Sequence, residues 1–205
     1  MSSGVENIEI MASNKVSTGI AGLDFQLGGG YPAGSIIVLH GSPLSGIEEM
    51  AAQFWKTPGD GTHYYLMIDG LVEEGMVKVS TADVEEAINA CSSSKRVIVD
   101  SLSSVVLKEG VDEAIRLMKE TSRPIVEHGG NTLFVLYSGV HPDIEEIRIA
   151  RHADVFVTCV EEIHGSEVER KLMIRKLRDA EVPNRMYPYN ISSEGIDLST
   201  TARVV

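Results

Sequence analysis

Between Ser35 and Lys56 the chain runs from a short apolar stretch, through a loop bounded by Gly41 and Gly46, into an amphipathic segment. This succession constrains the fold more than any other stretch. Ile36-Ile37-Val38-Leu39 is apolar at every position, the pattern of a strand buried on both faces. Gly46–Lys56 reads as a helix whose apolar face carries Ile47, Met50 and Phe54. The same alternation recurs downstream. His63–Ile68, Arg96–Asp100, Asn131–Tyr137 and Asp154–Val160 are strand candidates. Helices are expected over Thr81–Ala90, with Ser80 or Thr81 as N-cap, over Val111–Thr121, and over Pro142–Arg151. Asp143, Glu145 and Glu146 suit the first turns of the last of these. The pattern predicts an α/β fold: a mostly parallel sheet, strand 35–40 central, helices on both faces. After residue 160 the period changes. Glu169–Arg178 and Met186–Ser192 have no helix between them, and Pro183-Asn184 marks their connection. They predict a C-terminal antiparallel hairpin edge, continued by residues 193–205 from a Glu194-Gly195 turn. With no linker in sight, residues 15–205 are expected to form one domain behind a polar lead-in of residues 1–14.

Composition narrows the function classes. The 205 residues include 30 Asp and Glu against 18 Lys and Arg, a formal net charge of −12. Nucleic acid and anionic membranes reward clustered cations, so neither is an expected partner. Cys91 and Cys159 are far apart, with no metal-ligand spacing, and suit free thiols in a reducing cytoplasm. The six histidines do not cluster at metal-ligand spacing either. No apolar run is long enough to span a bilayer, and residues 1–14 lack the basic and apolar regions of a signal peptide.

The loop itself, Gly41-Ser42-Pro43-Leu44-Ser45-Gly46-Ile47-Glu48, follows a strand and opens a helix. A phosphate-binding loop needs that context, because its backbone N–H groups and the helix N-terminus hold the anion. Two glycines at this spacing are weak evidence alone. Their surroundings are more specific: Ser17-Thr18-Gly19-Ile20-Ala21-Gly22-Leu23-Asp24, then Leu27-Gly28-Gly29-Gly30-Tyr31-Pro32-Ala33-Gly34-Ser35, lead into the loop. Val97-Ile98-Val99-Asp100-Ser101-Leu102-Ser103, Arg175-Lys176-Leu177-Arg178 and Tyr187-Pro188-Tyr189 follow in order. Together these stretches resemble the KaiC/RadA branch of the RecA-type P-loop ATPases, over about residues 15–200. The resemblance implies a RecA-like three-layer fold, with the Walker A loop at residues 41–48 and the Walker B acid at Asp100.

The departures from that family are specific. Ile47 stands where the family has its phosphate-binding Lys, and Glu48 where it has the Ser or Thr that holds magnesium. Asp69-Gly70 aligns with a catalytic Glu pair, leaving one carboxylate. Losing a cation and gaining an anion near phosphate each cost up to about 4 kcal/mol at ~4 Å, in an effective dielectric of about 20. Glu48 and Glu49 otherwise favour a helix N-terminus, and Ile47 a place in the core. Asp100 either holds magnesium through water or bonds Ser42, Ser45 or a backbone amide. Asp69 is either a general base or a turn residue before Gly70. In KaiC-like rings the residues matching Lys176 and Arg178 reach the nucleotide of the next subunit; otherwise both decorate a solvated edge strand. Tyr187 and Tyr189 either stack on adenine or pack at the sheet edge.

The expected function is a RecA/KaiC-like module with a degenerate P-loop, non-hydrolysing, regulatory or assembly-promoting. Its expected partner is itself or an active KaiC-like paralogue, and ATP and magnesium are expected to bind weakly. The alternative is an ATPase with an unconventional site, using Asp69 as base, Asp100 for magnesium, and Lys176 and Arg178 as cations in trans. A RadA-like DNA-binding protein ranks last, because the chain is acidic and lacks an aromatic–basic loop.

Overall fold

The structure, a computed structural model, describes residues 15–199. The lead-in of residues 1–14 and the end of the expected tail, residues 200–205, lie outside the described residues. In chain order the elements are β1 (Lys15–Val16), α1 (Ala21–Gln26), β2 (Tyr31–Pro32), β3 (Ile36–Gly41), α2 (Ile47–Lys56), β4 (His63–Met67) and β5 (Val77–Lys78). Then come α3 (Val84–Ala90), β6 (Arg96–Asp100), α4 (Leu102–Glu109), α5 (Val111–Arg116), α6 (Arg123–Glu127), β7 (Asn131–Tyr137) and α7 (Asp143–His152). The chain closes with β8 (Val155–His164), β9 (Glu167–Leu177), β10 (Tyr187–Ser192) and β11 (Gly195–Leu198).

Nine strands form the main sheet in the order β11-β10-β9-β8-β3-β7-β6-β4-β5. β3 lies at the centre, parallel to β7 on one side and β8 on the other. The parallel set continues through β6 and β4 to β5. From β8 outward through β9 and β10 to β11 the pairing is antiparallel. This is the mostly parallel sheet with an antiparallel C-terminal edge that the pattern predicts.

Alternate residues of the inner strands supply two cores, one on each face, as the two-residue period of a strand requires. Ile37, Leu39, Ile98, Leu133 and Val135 pack with Ile47, Met50 and Phe54 of α2 and with Tyr187, Tyr189, Ile196 and Leu198 of the last two strands. Val38, Val97, Val99, Phe134 and Leu136 face the opposite core, with Val84 and Ile88 of α3, Val105 of α4 and Ile149 of α7. α2 ends against Arg96, whose buried guanidinium donates to the carbonyls of Phe54 (3.2 Å) and Thr57 and lies over the Phe54 ring.

Several boundaries differ from expectation. The predicted helix over 81–90 begins at Val84, because Ser80 Oγ and Asp83 bond each other and keep residues 80–83 in a turn. The predicted helix over 111–121 stays α-helical only to Arg116, then widens into a π turn over Leu117–Thr121. Helix α4 is unpredicted. Its run Leu-Ser-Ser-Val-Val is buried on nearly every side, so packing overrides its weak helical propensity. α1, α6 and the two-residue strands β1, β2 and β5 are also additions to the predicted pattern.

Candidate functional site

The carboxyl ends of the central strands share one edge of the sheet. Gly41, the last residue of β3, pairs in register with Tyr137 of β7 and Cys159 of β8, and Met67 of β4 pairs with Asp100 of β6. The chain leaves these strands at the crevice where open α/β sheets bind ligands.

The loop after β3 is a single 3-10 turn over Pro43–Ser45, stitched to itself. Ser42 Oγ accepts from Leu44 N–H (3.2 Å), and both Ser45 N–H (3.0 Å) and Ser45 Oγ (2.6 Å) donate to the Ser42 carbonyl. Gly46 joins this turn to α2 with φ of 81°, in the left-handed region, and a Cβ there would collide with Ile191 Cδ1. β10 therefore lies directly on the loop, with the Tyr189 hydroxyl donating to the Ser45 carbonyl. The paired strands β8 and β9 add Glu161, which accepts from Ser42 Oγ (3.3 Å), and Arg170, which donates to the Leu44 carbonyl (3.3 Å). Ile47 is fully buried in the core, while Glu48 and Glu49 are exposed.

Beside the loop lies a group of carboxylates and hydroxyls. Asp100 is 2% exposed. It accepts from the Tyr65 hydroxyl at 2.7 Å and, at 3.4 Å, faces the Tyr137 hydroxyl. The same Tyr137 hydroxyl donates to Glu48 Oε1 at 2.6 Å, so one phenol links the first turn of α2 to the end of β6. Asp69 accepts from Ser101 Oγ (3.3 Å) and Ser104 Oγ at the start of α4. Burial pushes the Asp100 carboxyl up to about 6, with the negative charges of Glu48 and Asp69 adding to it and the Tyr65 and Tyr137 hydrogen bonds opposing it. Burial and the Asp100 charge likewise raise Tyr65 and Tyr137, which stay protonated as donors. Every ion pair among the described residues lies elsewhere, so Glu48, Asp69 and Asp100 have no Lys or Arg partner.

The structure thus brings the 41–48 loop, Asp69 and Asp100 together, as the sequence predicts. Two details differ. Asp100 bonds tyrosines rather than Ser42 or Ser45, because the Ser42 hydroxyl donates to Glu161 and the Ser45 hydroxyl to the Ser42 carbonyl. Asp69 does more than shape the turn before Gly70, since it ties that turn to α4. Lys176 and Arg178 lie at the opposite, amino-terminal end of the parallel strands. Lys176 Nζ donates to the carbonyls of Ala150 (3.4 Å) and Arg151 (2.9 Å). Arg178 donates to Gly34 (2.8 Å) and Ala33 (3.0 Å) and pairs with Asp154 (3.3 Å). Tyr187 and Tyr189 are buried in the core at the sheet edge. Tyr65 and Tyr137 escape a reading of the sequence; their signal is a tyrosine at or near the carboxyl end of a strand adjoining an acidic strand end.

Residues 15–68 match a family of unknown function, DUF7125. No curated protein matches the sequence. A KaiC-like protein from the hyperthermophilic archaeon Pyrococcus horikoshii OT3 has the same fold: TM-score 0.70 at 20% identity, over 90% of this chain and 98% of that one. The family model described as "ATPase: KaiC" matches residues 69–202, more than half of the chain and continuous from Asp69 through Asp100 to the antiparallel edge. The chain belongs to the KaiC ATPase family.

Proposed function

We propose that this chain is a KaiC-family domain with a degenerate P-loop that does not turn over nucleotide, and that it acts as a regulatory or assembly module. It would pair with copies of itself or with an active protein of the same family, in the cytoplasm. One observation carries the reading: Glu48, at the first turn of α2, is linked through the Tyr137 hydroxyl to Asp100, where a nucleotide's phosphates would need cations.

A magnesium–nucleoside triphosphate does not fit these side chains. Three carboxylates line the crevice without a cationic partner among the described residues, and Ile47 is committed to the core. Phosphoryl transfer depends on positioning and on stabilising charge, and like charges here oppose both. Asp69 already accepts from two serine hydroxyls, which detracts from a role as general base. The unconventional ATPase reading needs Lys176 and Arg178 as cations from a neighbour. Both would first have to leave the backbone carbonyls they now hold. The part of the chain that holds the loop matches the family of unknown function, which agrees with a changed role for it.

Calorimetry with magnesium–ATP tests the reading. The expected result is no micromolar binding and no magnesium-dependent hydrolysis; micromolar affinity would overturn it. The paired substitution Ile47→Lys with Glu48→Thr separates two causes. Recovered binding traces the loss to these side chains, and continued absence traces it also to the closure of β10 over Ser45 and Gly46. Light scattering at high concentration, with and without ATP, tests assembly. A strict monomer under both conditions would remove self-association from the proposal.

A further inference from the structure

The β8–β9 hairpin continues past the edge of the core to a turn at Gly165, with Glu162 opposite Glu169 and His164 opposite Glu167. Glu161 faces the loop through Ser42, so strand alternation puts Glu162 and His164 on the other face of the hairpin. Glu169 lies on that face too, across from Glu162. His164 Nε2 is 3.3 Å from Glu162 Oε2 and 3.6 Å from Glu169 Oε2, and one donor atom from each of the three lies within 4.8 Å of the others.

We propose that Glu162, His164 and Glu169 form a binding site for a borderline divalent cation of the zinc or nickel class, outside the crevice of the 41–48 loop. The geometry suits such an ion. A tetrahedral centre with bonds of about 2.0 Å needs donor atoms roughly 3.3 Å apart. The donor set is one imidazole with two carboxylates, which leaves a position for water and favours zinc or nickel over magnesium or calcium. A stand-in already marks the place of positive charge. The Lys171 ammonium lies 3.1 Å from Glu162 Oε2 and 3.0 Å from Glu169 Oε2, the two oxygens that the ion would use. Lys171 reaches this point on a flexible stem, so a dication can displace it and gain the imidazole nitrogen as a third ligand. Bound metal would then staple the two strands near the turn, the part of the hairpin farthest from the core.

The test uses the full chain without an affinity tag, stripped with a chelator and titrated with zinc chloride in a calorimeter. One saturable site per chain is expected. His164→Ala and Glu162→Gln should each weaken it about tenfold or more. Lys171→Met should tighten it several-fold by removing the competing ammonium, an effect that zinc held elsewhere would not show. His141→Ala, whose imidazole lies by the α7 glutamates, should leave affinity unchanged. The side chains of His164 and Glu162 are 63% and 48% exposed, so their variants should fold with the thermal midpoint of the parent. No saturable binding, binding indifferent to His164→Ala, or weaker binding in Lys171→Met would overturn the site and leave these residues as an ion-pair network.

Discussion

Asp100 holds its place through two phenol hydroxyls rather than through a cation, and that choice has a consequence for stability. Its carboxyl rises from an ordinary 3.8 to about 6 in the folded chain, with burial the main cause. A raised carboxyl binds its proton more tightly when folded. Its contribution to stability is therefore complete below pH ~3.8 and is lost as pH rises through about 6. Asparagine cannot ionise, so Asp100→Asn should escape the loss. Relative to the parent, the variant should gain on the order of 2 kcal/mol between pH ~4 and pH ~7. Urea unfolding of both proteins at the two pH values measures it. A parent–variant difference that does not change with pH would show that burial does not raise the Asp100 carboxyl in the folded chain. His141 works the other way: burial lowers its imidazole, so the folded state resists protonation, and its contribution is lost as pH falls below its ordinary 6.5. Comparing Asp100→Asn with the parent cancels this and other shared titrations.

The last strand, β11, is clamped to α2 by a side-chain amide. Gln53, on α2, accepts from Ile196 N–H at 2.8 Å and donates to the Ile196 carbonyl at 3.2 Å and the Gly19 carbonyl at 2.6 Å. Its amide pairs with the open edge of β11 as a neighbouring strand would, and a Cβ on Gly195 would collide with it. Gln53→Ala should cost about 1–3 kcal/mol, since buried backbone groups lose partners. Amide exchange should accelerate over residues 187–198 before it does in β3, and uniform protection in the variant would refute the clamp. Elements of this kind differ in how openly the sequence displays them. β3, the loop and α2 are legible because strand and helix periods change at two glycines. The antiparallel edge is legible because no helix separates its runs. α4 is hidden, because serines and branched valines read as neither period and only burial makes them helical. The candidate site divides in the same way. The loop, Asp69 and Asp100 follow from strand ends. Tyr65 and Tyr137 do not, since tyrosine in a strand ordinarily reports packing, and their meeting depends on a register that pairs Gly41 with Tyr137. The bonds of Lys176 and Arg178 to Ala150, Arg151, Gly34 and Ala33 are likewise set by long-range contacts that strand alternation alone does not reveal.

At the scale of the whole molecule, charge decides which partners can approach. The acidic excess repels polyanions, and many basic side chains are already engaged. Arg96 is buried against carbonyls. Arg116 forks onto Glu85 and Glu113, Arg148 pairs with Asp112, Lys56 with Glu73, and Arg178 with Asp154. Lys171 is shared between two glutamates. Such cations cannot neutralise phosphates without breaking their own pairs, whereas nucleic-acid affinity rests on free cations that release counterions. RecA-like folds as a class do not forbid DNA, so the exclusion has to come from this surface and not from the architecture. Four of the five cations in the basic stretch over residues 170–178 are engaged: Arg170 and Lys176 are turned onto carbonyls, and Lys171 and Arg178 onto carboxylates, while Arg175 is exposed. The expected outcome is no retention of single- or double-stranded DNA by submicromolar protein at physiological salt. A shift assay repeated over a series of salt concentrations decides it. Binding that weakens steeply as salt is added would mean that these pairs open on contact and that the surface presents a basic track after all.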